Sequence, residues 1–214
     1  MPDSIWIARH ANRQDFADPD WAATAERPHD PGLSPDGHAQ ADQFARRMAE
    51  EPITRIVASP FLRTVQTAHP VAEALDRPMR LEPGLGEWLN PDWFDAAPAI
   101  RSPDALADAF PRIDLSPAPC VTPSFPETRD EAFARIGDAA RCLAERFNDA
   151  GDLLLVGHGA TVQGILLGLV GDVEDVGCPL CSVTRLVRDG GRWTIATRND
   201  TSHLDHAGAA DRFH

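Results

Sequence analysis

The sequence predicts an α/β fold: a three-layer α/β/α sandwich with a mostly parallel sheet, a C-terminal hairpin and an irregular lid insertion. Three observations predict it. The short apolar runs "SIWIAR", "RIVAS" and "DLLLVG" are each followed, directly or after a loop, by a stretch with helical spacing, the alternation from which parallel sheets are built. "DLLLVGHG" is apolar until it ends in glycine-histidine-glycine, as expected of a central strand covered on both faces. "SVTRLVRDGGRWTIATR" reads as two strands around an Asp189-Gly190-Gly191 turn.

The elements follow in order. Ile5 and Ile7 open a strand that runs into Arg9 and His10. Residues 14–32 are polar and rich in Asp and Pro, hence a loop. Ser34-Pro35 starts a helix, a capping hydroxyl followed by proline in the first turn, and Ala41, Phe44, Ala45 and Met48 form its buried stripe. After the strand at 55–59, Ser59-Pro60 is expected to cap a second helix with Phe61, Val65, Ala68, Ala72 and Leu75 inward. A short strand is expected at 79–82. Residues 83–126 hold nine prolines and little periodicity; a stretch this long is usually a lid or an insertion, with a short helix near 103–110. Phe133, Ile136, Ala140, Leu143 and Phe147 then mark a long amphipathic helix, and Val162, Ile165, Leu166 and Leu169 the helix after the central strand. The expectation is one domain over 1–214, with the lid at about 83–126.

Composition narrows the function. The 214 residues are 43% hydrophobic and 25% charged, ordinary for a soluble protein. No run approaches the roughly 18 apolar residues of a membrane span, and the N-terminus lacks a signal-peptide pattern, so a cytoplasmic location is expected. All 20 basic residues are arginine, and lysine and tyrosine are absent, which removes Schiff-base chemistry and phenolic acids or nucleophiles. A net charge of −13 argues against nucleic acid or an anionic membrane as partner. A small anionic substrate requires local positive charge. Four cysteines, Cys120, Cys142, Cys178 and Cys181, are too few and scattered for a disulfide scaffold. Cys178 and Cys181, with His203 and His206 downstream, have metal-like spacing, but a turn feeding the next strand is the preferred reading; neither metal nor cofactor is expected.

Ligands of such sheets collect beyond the carboxyl ends of the strands, and three of those ends carry Arg9-His10, Ser59 leading to Arg63, and His158. Arg9, Arg13 and Arg63 each offer a fork that grips phosphate oxygens. His10 is the candidate nucleophile, since neighbouring guanidinium groups favour the neutral imidazole it needs. His158 is placed to donate to a phosphoryl oxygen. Glu87, beside Trp88, is the candidate proton donor, with Asp15, Asp92 and Asp95 as competitors. Trp88, Trp93 and Phe94 are candidates for an apolar wall against the leaving group, or for anchors of the lid.

The blocks "RHANR", "LSPDGHAQA", "ASPFLRTVQTA", "GLGEW" and "LLLVGHG" occur in an order that resembles the histidine phosphatase superfamily, also called phosphoglycerate mutase-like. The resemblance spans nearly the whole chain, and "ASPFLRTVQTA", "LEPGLGEW" and the Arg13/Asp15 spacing look most like the branch of suppressor of T-cell receptor signalling phosphatases. It implies phosphorylation of His10, a phosphate pocket of Arg9, Arg63, His158 and the additional Arg13, and proton transfer by Glu87, with no metal. Ala11 stands where the family normally has glycine, and Asn12 where it has glutamate or a related polar residue; both read as tuning. The expected function is therefore a metal-independent phosphomonoesterase of small or aromatic esters. Alternatives are a phosphoglycerate mutase-type phosphotransferase and a non-catalytic phosphate-binding module, and a homodimer is left open.

Overall fold

The computed structural model describes residues 2–116, 118–148, 151–171 and 177–205. Its strands are β1 (Ser4–Arg9), β2 (Ile53–Ala58), β3 (Met79–Leu81), β4 (Asp152–Gly157), β5 (Val183–Asp189) and β6 (Arg192–Asp200). Its helices are α1 (Gln14–Ala17), α2 (Trp21–Thr24), α3 (Pro35–Met48), α4 (Leu62–Ala74), α5 (Pro103–Ala109), α6 (Arg129–Arg146) and α7 (Gly159–Val170). The strands form one sheet in the order β3-β2-β4-β1-β5-β6. The first four are parallel, and the hairpin β5–β6 adds antiparallel at the β1 edge.

Alternation along the strands makes the layers. Trp6 and Ala8 of β1, with Leu154 and Val156 of β4, face Phe44, Met48, Val65 and Ala68 of α3 and α4. Ile5, Ile7, Leu153 and Leu155 face the opposite way, onto Ile136, Ala140, Leu143 and Ile165 of α6 and α7. Each strand residue thus has an apolar partner on its own side, and the two helix layers follow from the period of two. α6 and α7 approach closely because no side chain intervenes: a methyl on Gly168 would lie 2.5 Å from the Gly137 Cα.

Three expectations need correction. The 14–32 loop contains the short turns α1 and α2, which bury no residue and so left no periodic signal. Ser59 does not cap α4, whose N-cap is Phe61 and has no side-chain cap bond. Instead Asp30 accepts from the Leu62 N–H at 2.7 Å, so a carboxylate distant in sequence caps the helix and leaves the Ser59 hydroxyl for other use. One cysteine pair is bonded, Cys120 to Cys142, tying the irregular segment to α6.

That segment contains a 3-10 turn at Pro83–Leu85 and α5 where a short helix was expected. Buried carboxylates organise much of its backbone. Glu82 accepts from Gly84 N at 2.9 Å, Cys120 N at 2.6 Å and Val121 N at 3.1 Å. Asp30 accepts from the backbone N of Arg101 at 3.2 Å and from its guanidinium at 3.1 Å. Ionised carboxylates taking several N–H bonds are a strong way to hold chain that has no ladder of its own.

Candidate active site

β1, β2 and β4 end side by side, and their carboxyl ends deliver His10, Ser59 and His158. The backbone N of His10 donates to Gly157 O at 2.8 Å and that of Ser59 to Val156 O at 2.9 Å, extending the sheet by one rung. The two imidazoles are fully buried, with ring centroids 5.5 Å apart.

His10 Nδ1 lies 2.8 Å from the Ala11 carbonyl. A carbonyl only accepts, so the proton sits on Nδ1 and the Nε2 lone pair is exposed for reaction. Burial lowers the pKa of His10 well below its ordinary value, reinforced by the charges of Arg63, Arg9 and Arg13. His158 is lowered well below its usual value by burial and by Arg63, His10, Arg13 and Arg9. Both rings are therefore neutral at neutral pH.

Arg63, in the first turn of α4, is 2% exposed. Its Nη2 donates to His158 Nδ1 at 3.2 Å and lies 3.6 Å from Glu87 Oε2. Burial and the neighbouring Arg13 draw its pKa down to about 9, opposed by Glu87 and Asp30, which leaves it charged at neutral pH. The other ring nitrogen of His158, Nε2, pairs with Ser59 Oγ at 2.9 Å. Arg9 donates to the Cys178 carbonyl, so the turn containing the two cysteines serves here as a buttress. Arg13 is paired with Asp15 and lies 4.3 Å over the Phe16 ring, which turns one expected competitor acid into a partner of the pocket arginine.

Glu87 is the acid that reaches the centre: its Oε2 is 3.3 Å from His158 Nδ1. Asp92 and Asp95 are exposed on the segment's surface. Glu87 also lines a cavity of about 430 Å³ with Arg9, Arg13, Trp88, Trp93, Arg129, Phe133, Gly159, Ala160 and Gln163, a volume suited to a small ligand. Trp88 and Trp93 form one wall, edge to face at 5.0 Å. Phe94 does not join them. Trp93 N and Phe94 N both donate to Asn90 O, and that turn sends Phe94 inward against His29, 5.0 Å between ring centroids.

Arg129, Phe133 and Gln163 are cavity residues that sequence reasoning missed: Phe133 was counted in the buried stripe of α6, and Arg129 and Gln163, on α6 and α7, read as polar positions outside the stripes. The pair that positions the acid was missed as well. Glu127 and Arg135, 5% and 7% exposed, meet in a two-point bridge of 2.5 Å and 2.8 Å. Arg135 also donates to the carbonyls of Gly84, Gly86 and Glu87, while the Glu127 carbonyl receives the Trp88 indole N–H at 2.9 Å. An i,i+8 spacing from a loop into a helix carries no sequence signal, although a charged residue on the buried stripe of α6 does.

Ala11 is fully buried and outside the left-handed region, so its methyl is housed without strain; its N–H donates to Thr67 Oγ1 at 3.1 Å. Asn12 contributes backbone: its carbonyl accepts from Ser34 N at 3.0 Å, seating the start of α3. Cys178 and Cys181 are buried and stand outside the Cys120–Cys142 disulfide, and burial pushes Cys181 up to about 12, which makes it an inert thiol. Among the described residues no three His, Cys, Asp or Glu side chains converge as a metal set; His206 lies outside them.

The profile of the histidine phosphatase superfamily (branch 1) matches residues 5–201. The chain belongs to that superfamily. It is 28% identical over 183 residues to the transcription factor tau 55 kDa subunit of Saccharomyces cerevisiae, covering 79% of this chain and 41% of the yeast protein. It is 34% identical over 143 residues to the ecdysteroid-phosphate phosphatase of Bombyx mori, covering 61% of this chain and 21% of that protein. The chain thus spans well under half the length of both. Among solved structures, the Bombyx mori ecdysone phosphate phosphatase in complex with tungstate superposes with a TM-score of 0.79 at 23% identity, over 99% of this chain and 97% of that one. The α/β fold matches that of its structural neighbours, and no described helix is long and apolar enough to cross a membrane.

Proposed function

We propose that this superfamily member is a phosphomonoesterase that passes the phosphoryl group through His10 without a metal ion. The observation that carries the reading is the fixed tautomer of a buried, neutral His10 among three arginines and a second histidine. Arg63 Nε supports it too, being buried without an acceptor among the described residues; a phosphoryl oxygen would satisfy it.

In the first step His10 Nε2 attacks phosphorus. The P–N bond forms as the P–O ester bond breaks, and Glu87, protonated at that moment, gives its proton to the departing oxygen. Arg9, Arg13 and Arg63 neutralise the phosphoryl oxygens as charge shifts. Ser59 lets His158 take part: a hydroxyl can accept from Nε2–H or donate to Nε2, so His158 Nδ1 can accept from Arg63 in the free enzyme and donate to a phosphoryl oxygen in the complex. In the second step Glu87, now ionised, takes a proton from water as the water oxygen attacks phosphorus and the P–N bond breaks. Glu87 touches both sides of the reaction, since it borders Arg63 and His158 and also lines the cavity.

The test is turnover of para-nitrophenyl phosphate, with and without chelator, by wild type and His10→Ala. The expected result is chelator-resistant hydrolysis that falls more than about a thousandfold in the variant. Anion binding without turnover in wild type would leave a binding module, and isomerisation of 3-phosphoglycerate without phosphate release would leave a mutase.

A further inference from the structure

Resting on that reading, we propose that the aromatic cavity carries a second anion subsite on Arg129, assisted by Gln163. The preferred substrates are then phosphate esters of a planar ring that bears a carboxylate or another anionic group away from the ester.

The cavity has charged residues from more than one source. Arg9 and Arg13, with Glu87, belong to the reacting centre, and the cavity they line also holds the apolar surfaces of Trp88, Trp93 and Phe133. Arg129 and Gln163 come from other elements, α6 and α7, and line the same space. Arg129 occupies the first position of α6, directly after its N-cap Thr128. A cation there sits at the positive end of the helix macrodipole, which disfavours it. It does not contribute to starting the helix, because Thr128 and Glu131 form a complete capping box. It makes no ion pair with a carboxylate among the described residues, on a chain whose net charge is −13. Its guanidinium carbon lies 4.5 Å over the Phe133 ring. That cation–π contact spends the face of the group rather than its N–H donors, which can then grip a planar carboxylate as a fork. The competing account is a solvated arginine whose stem merely covers Phe133; it predicts no discrimination among substrates.

The experiment compares kcat/KM for phenyl phosphate, for 3- and 4-carboxyphenyl phosphate, and for their methyl esters. The methyl esters withdraw electrons comparably but carry no charge, so the acid-to-ester ratio isolates recognition from leaving-group chemistry and from the folded fraction of any variant. In wild type at least one acid is expected to exceed its methyl ester by about tenfold, chiefly through KM, with the advantage shrinking as salt is raised. Arg129→Gln is expected to bring that ratio to about one, and Arg129→Lys to keep part of it. Equal turnover of acids and methyl esters in wild type, or a preference that survives in Arg129→Gln, would overturn the subsite alone. Hydrolysis of none of the five esters would overturn the phosphatase reading, and the subsite with it.

Discussion

The sheet and the segment after it are held together by different physics, and the site draws on both. In the middle of β1 and β4, from Ile5 to Ala8 and from Leu153 to Val156, the buried residues are apolar and pack on the helices. The arrangement is stable because volumes fit, and small changes there alter how much protein is folded. Among the described residues of 83–126 no strand joins a sheet ladder, and α5 buries only Leu106. Buried carboxylates and one buried arginine receive or supply the backbone bonds that regular structure would otherwise provide. The sheet places His10, Ser59 and His158, whereas the segment places Glu87, Trp88 and Trp93. On the proposed reading, the half that would bind and attack phosphorus is thus set by packing, and the half that would handle the leaving group by hydrogen bonds to charges.

The strongest way to break this contrast is Arg135→Met. It leaves Glu127 buried and unpaired, a change that costs about 3–5 kcal/mol, and it frees the Glu87 carbonyl. A fall in kcat/KM per folded molecule is expected beside the lower Tm, steepest for esters with poor leaving groups, where a displaced Glu87 matters most. Leu143→Ala, in the α6 core facing the sheet, should cost a similar or smaller amount, about 2–5 kcal/mol, with kcat/KM per folded molecule within about twofold of wild type. Equal activity losses in the two variants would erase the distinction. A smaller effect sharpens it from the other side. His10 and His158 titrate in the unfolded chain near the ordinary 6.5 but well below it when folded. Below about pH 6.5 the unfolded state therefore binds more protons, and stability present above that pH is lost as pH falls toward the folded pKa values. Each ring contributes about 1.4 kcal/mol per pH unit within that window. Urea titrations from pH 7 to 5 should show the decline, and His158→Gln should remove about half of it; an unchanged slope would count against two buried neutral imidazoles.

What the sequence revealed divides along the same line. Elements with a period, such as Phe44 and Met48 in α3 or Leu153–Val156 in β4, were legible because burial repeats with the geometry of the element. The strand ends were legible because charged residues interrupt apolar runs there, which is how His10, Arg63 and His158 stand out. Phe94 stayed open between wall and anchor because adjacent aromatics in an aperiodic stretch give no information about which side each faces. Asp30 as the remote cap of α4, and the pairing of Glu127 with Arg135, went unread for a related reason: each joins a loop to a helix at a spacing that no local pattern encodes. The Cys120–Cys142 bond belongs with them.

The bond from His10 to its neighbour's carbonyl has one more consequence. It makes the two nitrogens of that ring chemically inequivalent before any substrate arrives, so a transferred phosphoryl group has only one place to go. The adduct isolated from a quenched reaction should be a single regioisomer, substituted at the nitrogen farther from the backbone, and phosphorus NMR of the denatured adduct would distinguish it from its partner isomer.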